Sequence, residues 1–322
     1  MARGLGKGVV SIKLTDAGSV EGVPSDHVLM SASLGVDGAL TCAWATPLDQ
    51  EALLRRDEVP NWASFAVTKA DPPVALLVTV TSERGSESHV WHNIGLAFPS
   101  VVRLPASGDF LIVGTRCRVI KDVPEHNAAR VSPSGEILHT GTLGDGIEHI
   151  VATREDDLWV GYFDEGVFGN YGWGDGGPPP VGASGIVRFS HDFGVEWRYP
   201  QDPGPPIADC YTLALDGDDV YACPYTDFPI LRIRDDAVEH WDGLGVPARF
   251  MLVSGHRLAL LGGYRTHWSE GVIVDLEAGR AKPLRLSGPK GVDLHEAFTI
   301  CVVGDTIVAL DGTRILKGAL DL

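Results

Sequence analysis

At the predicted starts of inner strands, three histidines stand directly beside an acidic residue, in the pairs Asp26-His27, Glu148-His149 and His295-Glu296. Each pair comes at the start of an apolar or alternating run that is typical of a β-strand. Imidazole and carboxylate groups that converge on one site act as general acid and base or bind a divalent metal ion. The alternative is that these histidines only form hydrogen bonds between neighbouring structural elements.

A long loop rich in glycine and aromatic residues is the second chemical feature. It runs from Phe163 through Tyr171 and Trp173, and continues to Pro178-Pro179-Pro180. The glycines permit tight curvature, while the rings offer flat apolar faces. The loop is either a lid or wall over a pocket, or an ordered segment whose rings pack on the structure beneath it.

Composition excludes several classes of partner. The chain has 322 residues, 26 Lys+Arg and 43 Asp+Glu, and a net charge of −17. This acidic excess disfavours nucleic acids and anionic membranes, which both require a basic surface. The start of the chain lacks the apolar run of a signal peptide, and no apolar segment is long enough for a membrane helix. The five scattered cysteines are typical of a protein whose thiols are reduced. We therefore expect a cytoplasmic protein with reduced cysteines. A single disulfide bond between Cys210 and Cys223 is the alternative.

A hairpin pattern recurs six times along the chain: an apolar strand, a turn rich in Gly and Asp, and a second apolar strand. Most copies are followed by a second hairpin, which in the first copy is predicted to turn at Asp71-Pro72-Pro73. Four antiparallel strands per unit are typical of a propeller blade. The sequence therefore predicts an all-β, single-domain, six-bladed β-propeller with blades at about 26–82, 98–143, 147–199, 208–242, 248–287 and 295–320. The last copy lacks a strand, and pairing the N-terminal strand 9–14 with it would close the ring. A two-layer β-sandwich is the alternative fold.

In such a fold, the starts of the inner strands and the loops between second and third strands share one face, which we call the entry face. Binding residues concentrate in loops on a rigid frame. The predicted substrate-binding residues are those whose rings, imidazoles or cation belong to this face: Tyr171, Trp173, Tyr225, Arg249, Tyr264, His27, His92 and His126. Arg249 and Arg265 would bind an anionic group of the ligand or pair with nearby acids. His149 and His295 would serve as base or metal ligands, with Glu148, Glu296 and Asp209 as ligands.

The segments Gly146-Ile147-Glu148-His149-Ile150 and Asp157-Leu158-Trp159-Val160-Gly161 resemble repeats of propellers of the NHL, gluconolactonase and streptogramin-lyase type. Residues 163–173 also resemble a segment of bacterial propeller proteins of unknown activity. Similarity to gluconolactonases implies an axial metal held by Glu148, Asn127 and Asp209. Similarity to streptogramin lyases implies a divalent metal with His149, His295 and Glu296 as catalytic groups.

Two functions follow as expectations. The first is metal-assisted hydrolysis or elimination of a small molecule, such as the opening of a lactone, with Ca, Mg or Zn as the divalent metal ion. No P-loop or dinucleotide fingerprint is present, so we expect no nucleotide cofactor. The second is non-catalytic recognition of a protein or peptide, in which the aromatic loop and Trp268 make contacts and the acidic surface favours a basic partner.

Overall fold

The computed structural model describes residues 8–60, 63–202, 204–264 and 267–320, and it confirms the all-β, six-bladed β-propeller predicted from the sequence. The chain divides into two compact units. The first unit comprises Val20–Ala183 and Val187–Glu196. The second comprises the N-terminal strands up to Ser19, Ser184–Ile186 and the chain from Trp197 onward. Neither helix in the described residues is long and apolar enough to cross a membrane.

Two strands, β1 (Val10–Lys13) and β2 (Thr15–Ser19), precede the first blade. Blade one then contains the four-stranded sheet and the helix and hairpin inserted between its second and third strands, in the order β3 (Val28–Leu34), β4 (Leu40–Ala45), α1 (Pro47–Leu53), β5 (Arg56–Val59), β6 (Ala63–Ala66), β7 (Lys69–Ser82) and β8 (Gly85–Leu96). Helix α1 begins where Thr46 caps it: the Thr46 hydroxyl accepts a hydrogen bond from the Asp49 N–H at 3.2 Å, and Pro47 occupies the first turn.

Blades two and three follow the same plan, with an insertion between the second and third strands of each sheet. Blade two contains β9 (Pro99–Arg103), β10 (Phe110–Gly114), the inserted hairpin β11 (Val119–Ile120) and β12 (Val123–Pro124), β13 (Ala128–Val131) and β14 (Ile137–Gly141). Blade three contains β15 (Ile147–Ala152), β16 (Leu158–Tyr162), the short helix α2 (Asp164–Phe168), β17 (Ile186–Phe189) and β18 (Val195–Arg198).

Blades four to six are antiparallel sheets of the second unit. Blade four contains β19 (Asp209–Asp216), β20 (Asp219–Tyr225), β21 (Ile230–Arg234) and β22 (Ala237–Trp241). Blade five contains β23 (Phe250–Ser254), β24 (Arg257–Leu261), β25 (Glu270–Asp275) and β26 (Arg280–Ser287). Blade six contains β27 (Thr299–Val303), β28 (Thr306–Asp311) and β29 (Arg314–Ala319), completed by β2.

The N-terminal strand does pair with the last blade, but the strand that does so differs from the one predicted. Strand β2 pairs antiparallel with β29, with Asp16 opposite Leu316. The predicted segment 9–14 instead lies parallel to β26 as a fifth strand of blade five, with Val10 opposite Leu284. The apolar alternation of that segment suits a place beside buried Leu284 and Leu286, whereas every residue of β2 is exposed.

The second hairpin of blade one was predicted wrongly. The expected turn at Asp71-Pro72-Pro73 lies inside β7, which continues to Ser82 and pairs with β8. The ladder between β7 and β8 shifts its register between Lys69 and Val74, and such irregularities are where a strand accommodates proline. The blade therefore extends to Leu96 rather than ending at residue 82.

The core consists of apolar side chains packed between adjacent blades. Blades one and two share a cluster in which the Trp91 and Phe110 rings meet edge-on at 5.1 Å. Similar clusters join blades two and three, four and five, and five and six. All five cysteines are buried and none forms a disulfide, so the alternative of a Cys210–Cys223 bridge is not observed. This rigid packing fixes the strand ends from which the functional candidates project.

Candidate functional site

Four aromatic rings cluster at one end of blades four and five, in the second unit. We call Tyr211, Tyr225, Phe228 and Tyr264 the tyrosine patch. The Tyr211 ring stacks with Tyr225 at a centroid distance of 6.0 Å and an interplanar angle of 21°. The centroids of Phe228 and Tyr264 each lie 5.4 Å from that of Tyr211. Tyr225 and Phe228 meet edge-on at 5.7 Å, so the rings form one continuous surface.

The strands explain why these rings meet. Asp209 begins β19 and lies opposite Tyr225, the last residue of β20. Tyr211 follows Asp209 by two residues and therefore projects to the same side of the strand, while Cys210 between them is buried. Phe228 belongs to the loop after β20, where its φ of 53° lies in the left-handed region. Tyr264 comes from the loop after β24 and joins blade five to the patch.

Two of the four rings are accessible to a ligand. Tyr225 is 42% exposed and Tyr264 is 61% exposed. A contiguous exposed aromatic surface on a rigid frame is characteristic of a binding site, because each ring offers a large flat area together with a hydroxyl group. The structure thus brings together three predicted residues, Asp209, Tyr225 and Tyr264. The sequence prediction missed Tyr211 and Phe228, although the alternation of Asp209 and Tyr211 around a buried cysteine was a usable signal.

Arg249 lies at the same end of blade five as Tyr264. It immediately precedes β23, its side chain is exposed, and its backbone N–H donates to the Leu261 carbonyl at 2.9 Å. This bond closes the first hairpin of the blade three residues before Tyr264. Arg265 lies outside the described residues.

A buried ion cluster occupies the corresponding ends of blades two and three, in the first unit. Arg116 donates two parallel hydrogen bonds to Asp145, Nε to Oδ1 and Nη2 to Oδ2, both at 2.9 Å. Its Nη2 also lies 2.5 Å from Glu165 Oε2. The side chains of Arg116 and Asp145 are only 12% and 2% exposed. Burial raises the pKa of Asp145, and the Arg116 guanidinium is the main group that opposes this rise.

This cluster holds the aromatic loop in place. The Arg116 guanidinium lies 4.2 Å from the centroid of the Tyr171 ring, and the Tyr171 hydroxyl donates to the Ala66 carbonyl at 2.7 Å. The Trp173 indole N–H donates to the Cys117 carbonyl at 2.8 Å, and Trp173 is only 6% exposed. The predicted role of Trp173 as a wall over a ligand is therefore corrected: its ring packs inside the protein. Of the other aromatic residues in this loop, Phe168 is exposed, at 69%.

His149 lies in β15 on the inner strand of blade three, next to exposed Glu148. Burial lowers the pKa of His149, because an apolar environment disfavours the charged imidazolium, and the Glu148 carboxylate only partly offsets this. The ring is therefore neutral at pH 7, which is the state of a general base.

His295 and Glu296 are exposed residues in the connection that precedes β27. The His295 ring packs on Phe298 at 4.7 Å, and its Nε2 lies 3.9 Å from Asp311 Oδ2. Its carbonyl accepts the Trp268 indole N–H at 2.8 Å. Trp268 is only 8% exposed, so its expected contact with a partner protein is corrected to a structural role. His149 and His295 belong to different units, and their joint action stays a prediction.

The remaining predicted histidines have separate surroundings. His27 Nδ1 lies 2.9 Å from Asp26 Oδ1, and His126 Nδ1 lies 2.9 Å from the Thr140 hydroxyl. His92 is exposed in β8 rather than in a connecting loop, because the fourth strand of blade one is longer than predicted.

The metal-ligand prediction does not fit Asn127. Its side-chain NH₂ donates to the carbonyls of Gly114 and Gly144 at 2.8 and 2.9 Å, and its oxygen accepts the Leu143 N–H at 2.9 Å. The residue is 1% exposed, so this amide is committed to holding the backbone of blade two. Among residues 8–60, 63–202, 204–264 and 267–320, no group of three or more His, Cys, Asp or Glu side chains is placed to hold a metal ion.

No family model matches this chain, and no curated protein matches it. Solved structures similar to it include a gluconolactonase from Xanthomonas campestris, with 13% identity, 99% of each chain covered and a TM-score of 0.48. The WD40 domain of Pan2 from Neurospora crassa has 12% identity, 96% coverage of each chain and a TM-score of 0.48. A chain of a nidogen/laminin complex has 10% identity, 81% coverage of each chain and a TM-score of 0.48. At these scores the likenesses carry no argument about activity or family, and the propeller fold rests on the sheets of this chain itself.

Proposed function

We propose that this protein is a ligand-binding propeller whose recognition surface is the tyrosine patch. The observation that carries the proposal is the cluster of four rings in contact, in which Tyr225 and Tyr264 are exposed. Tyrosine has only two side-chain torsions, so a ligand that binds these rings loses little side-chain entropy from the protein. The contacts with Tyr211 restrict both exposed rings further.

The chemistry of the patch favours a ligand with a flat ring face and polar edges. Ring faces attract planar or ring-bearing groups by stacking and dispersion. Tyrosine hydroxyls donate and accept hydrogen bonds, and the carboxylates of Asp209 and Asp227 at the same strand ends are further acceptors. A sugar ring or a heterocycle that carries hydroxyl or N–H donors fits this combination.

The test is saturation-transfer NMR with a panel of pyranose sugars and hydroxylated or aminated heterocycles. Wild-type protein is expected to transfer saturation to ring-bearing members of the panel. Tyr264→Ser should abolish or strongly reduce this transfer, since it removes the most exposed ring of the patch. Phe168→Ser is the matched control, because Phe168 is exposed to a similar extent, 69% against 61% for Tyr264, and lies in the other unit.

Two results would contradict the proposal. One is a panel in which no ring-bearing compound binds wild-type protein. The other is binding that survives Tyr264→Ser, or that falls equally in Phe168→Ser. Thermal unfolding of both variants shows whether each one is folded, and exposed positions of this kind seldom alter stability.

A second candidate function is general-base opening of a lactone or similar ring, which is favoured by His149 on the inner strand of blade three, where burial lowers the pKa of the imidazole. A neutral imidazole can accept a proton from an attacking water. D-Glucono-1,5-lactone, added with and without Mg²⁺, Ca²⁺ or Zn²⁺, is the probe. This candidate predicts enhanced hydrolysis that falls at least tenfold in His149→Gln, and it is wrong if both proteins match the uncatalysed rate.

A further inference from the structure

A cavity opens at the opposite ends of blades four and five, between the hairpin turns of the second unit. Its volume is about 810 Å³, which falls in the range of about 300–1,000 Å³ found for small-molecule sites. Strand β20 runs from Asp219 beside this cavity to Tyr225 in the tyrosine patch. Six residue steps of about 3.3 Å separate the two by about 20 Å, so the cavity is not part of the patch.

The floor of the cavity is apolar and rigid, and the Trp241 ring is its accessible part. Tyr221, Trp241 and Leu276 line it. Tyr221 is 2% exposed and its hydroxyl donates to the Gly255 carbonyl at 3.4 Å, which joins the two blades. Leu276 belongs to the cluster of buried residues between blades four and five. A concave site with an apolar floor and polar groups at its rim is the usual form of a small-molecule site.

The rim charges determine which ligand suits the floor. The Asp219 carboxylate is neutralised by the Arg234 guanidinium, with Nε to Oδ1 at 2.6 Å. Arg232 is paired with Glu239 at 2.5 Å, and its guanidinium lies 5.7 Å from the centroid of the Trp241 ring. Both arginines that line the cavity are therefore paired with acids, and Arg232 Nε is left without a hydrogen-bond partner among the residues that the structure describes.

Three carboxylates on this rim remain uncompensated. Asp216, Asp218 and Asp235 have no ion-pair partner in the described parts of the chain. Asp216 accepts one hydrogen bond, from the Gly255 N–H at 3.3 Å. Burial and the nearby carboxylates of Asp219 and Asp305 raise the pKa of Asp216, so a cation placed in the cavity would lower the energy of its charged form.

We infer that this cavity is a second binding site, which takes a small organic polyamine: the methylene chain lies on the Trp241 ring, and ammonium groups pair with Asp218 and Asp235. An alkyl chain with separated ammonium groups matches an apolar floor bordered by carboxylates from two turns. The inference is independent of the proposed function, because the two sites lie at opposite strand ends.

The experiment is isothermal titration of the whole protein with spermidine. Wild-type protein should bind one spermidine saturably, and Asp218→Asn and Asp235→Asn should each weaken the affinity by about two- to fivefold, as for partly exposed ion pairs. Asp235 has a φ of 49° in a hairpin turn, a conformation that asparagine tolerates. Asp122→Asn is the matched control, since Asp122 is an exposed aspartate with a φ of 64° in the β11–β12 turn.

Tyr264→Ser should leave spermidine binding unchanged, which separates this site from the tyrosine patch. Equal weakening in Asp122→Asn would show attraction to the net charge of −17 rather than a site, and would overturn the inference. So would the absence of saturable binding, or equal competition by Mg²⁺ at the same charge concentration, because a bare ion gains nothing from the apolar floor.

Discussion

Replacement of Arg116 by methionine should destabilise the protein strongly and release the aromatic loop of blade three. Arg116 makes two hydrogen bonds to Asp145, lies 2.5 Å from Glu165, and stacks on Tyr171. Methionine fills a similar volume but supplies no charge and no donor. The buried Asp145 carboxylate would then keep the backbone N–H groups of Cys117, at 2.8 Å, and Gly146 as donors, but it would have no neutralising cation.

The expected loss in the free energy of unfolding is about 3–5 kcal/mol, the usual effect of removing one partner from a buried ion pair. The loss depends on pH in a defined direction. Without Arg116 the folded-state pKa of Asp145 rises further above its unfolded value, so the native state holds a proton that the unfolded state releases. Stability is then retained at low pH and is lost as pH rises through the folded-state pKa. The free energy of unfolding of Arg116→Met should therefore be lower at pH 8 than at pH 5.

Urea unfolding followed by tryptophan fluorescence measures this loss, and limited proteolysis reports release of residues 163–174. Arg314→Met is the matched control: its ion pair with Asp16 has side chains 41% and 51% exposed, so its loss should be hard to detect. Adding Asp145→Asn to Arg116→Met should restore part of the stability by removing the buried charge. The reasoning is refuted if Arg116→Met and Arg314→Met lose similar amounts, or if the double variant is weaker than the single one.

Three further predictions concern other residues. The pKa of His149 is lowered in the folded state, so the unfolded state takes up a proton first as pH falls below 6.5. The free energy of unfolding of the wild type, measured in urea, should therefore decline between pH 7 and pH 5 more steeply than that of His149→Gln. An equal decline in the two proteins would contradict this. Trp173→Phe should lose about 1–2 kcal/mol by leaving the Cys117 carbonyl unpaired, yet bind ring ligands normally; loss of binding would restore Trp173 as a ligand contact. Burial raises the pKa of the Cys117, Cys223 and Cys301 thiols to about 12. These thiols should therefore react with a disulfide reagent at pH 8 only after unfolding, when all five cysteines of the chain are titrated. Rapid reaction of the native protein would be inconsistent with their burial.

The blades could be predicted because their signal is local. Alternating apolar runs and Gly-Asp turns specify hairpins within a few residues of chain, and the first hairpin of all six predicted repeats is observed. Blade one was misjudged because its prolines at 72 and 73 resemble a turn, while the register shift that accommodates them depends on β8. Strand β2 could not be recognised, since Thr15–Ser19 is exposed throughout and pairs through its backbone and the Asp16–Arg314 ion pair.

The site was only partly predictable for a related reason. A sequence shows which aromatic residues belong to loops, but it does not show which of them find an interior partner. Trp173 and Tyr264 were equal candidates in the sequence. The Trp173 indole donates a hydrogen bond to the carbonyl of Cys117, which is distant along the chain, and the ring is buried. Tyr264 instead packs on Tyr211 and is 61% exposed. Arg116 escaped notice because its partners Asp145 and Glu165 are 29 and 49 positions away.

The most direct measurement for the central claim is a crystal structure of the protein with the ring-bearing compound that gives the strongest NMR transfer. The account predicts electron density for that compound stacked on the rings of Tyr225 and Tyr264. Density beside His149 instead, with both tyrosine rings bare, would contradict it.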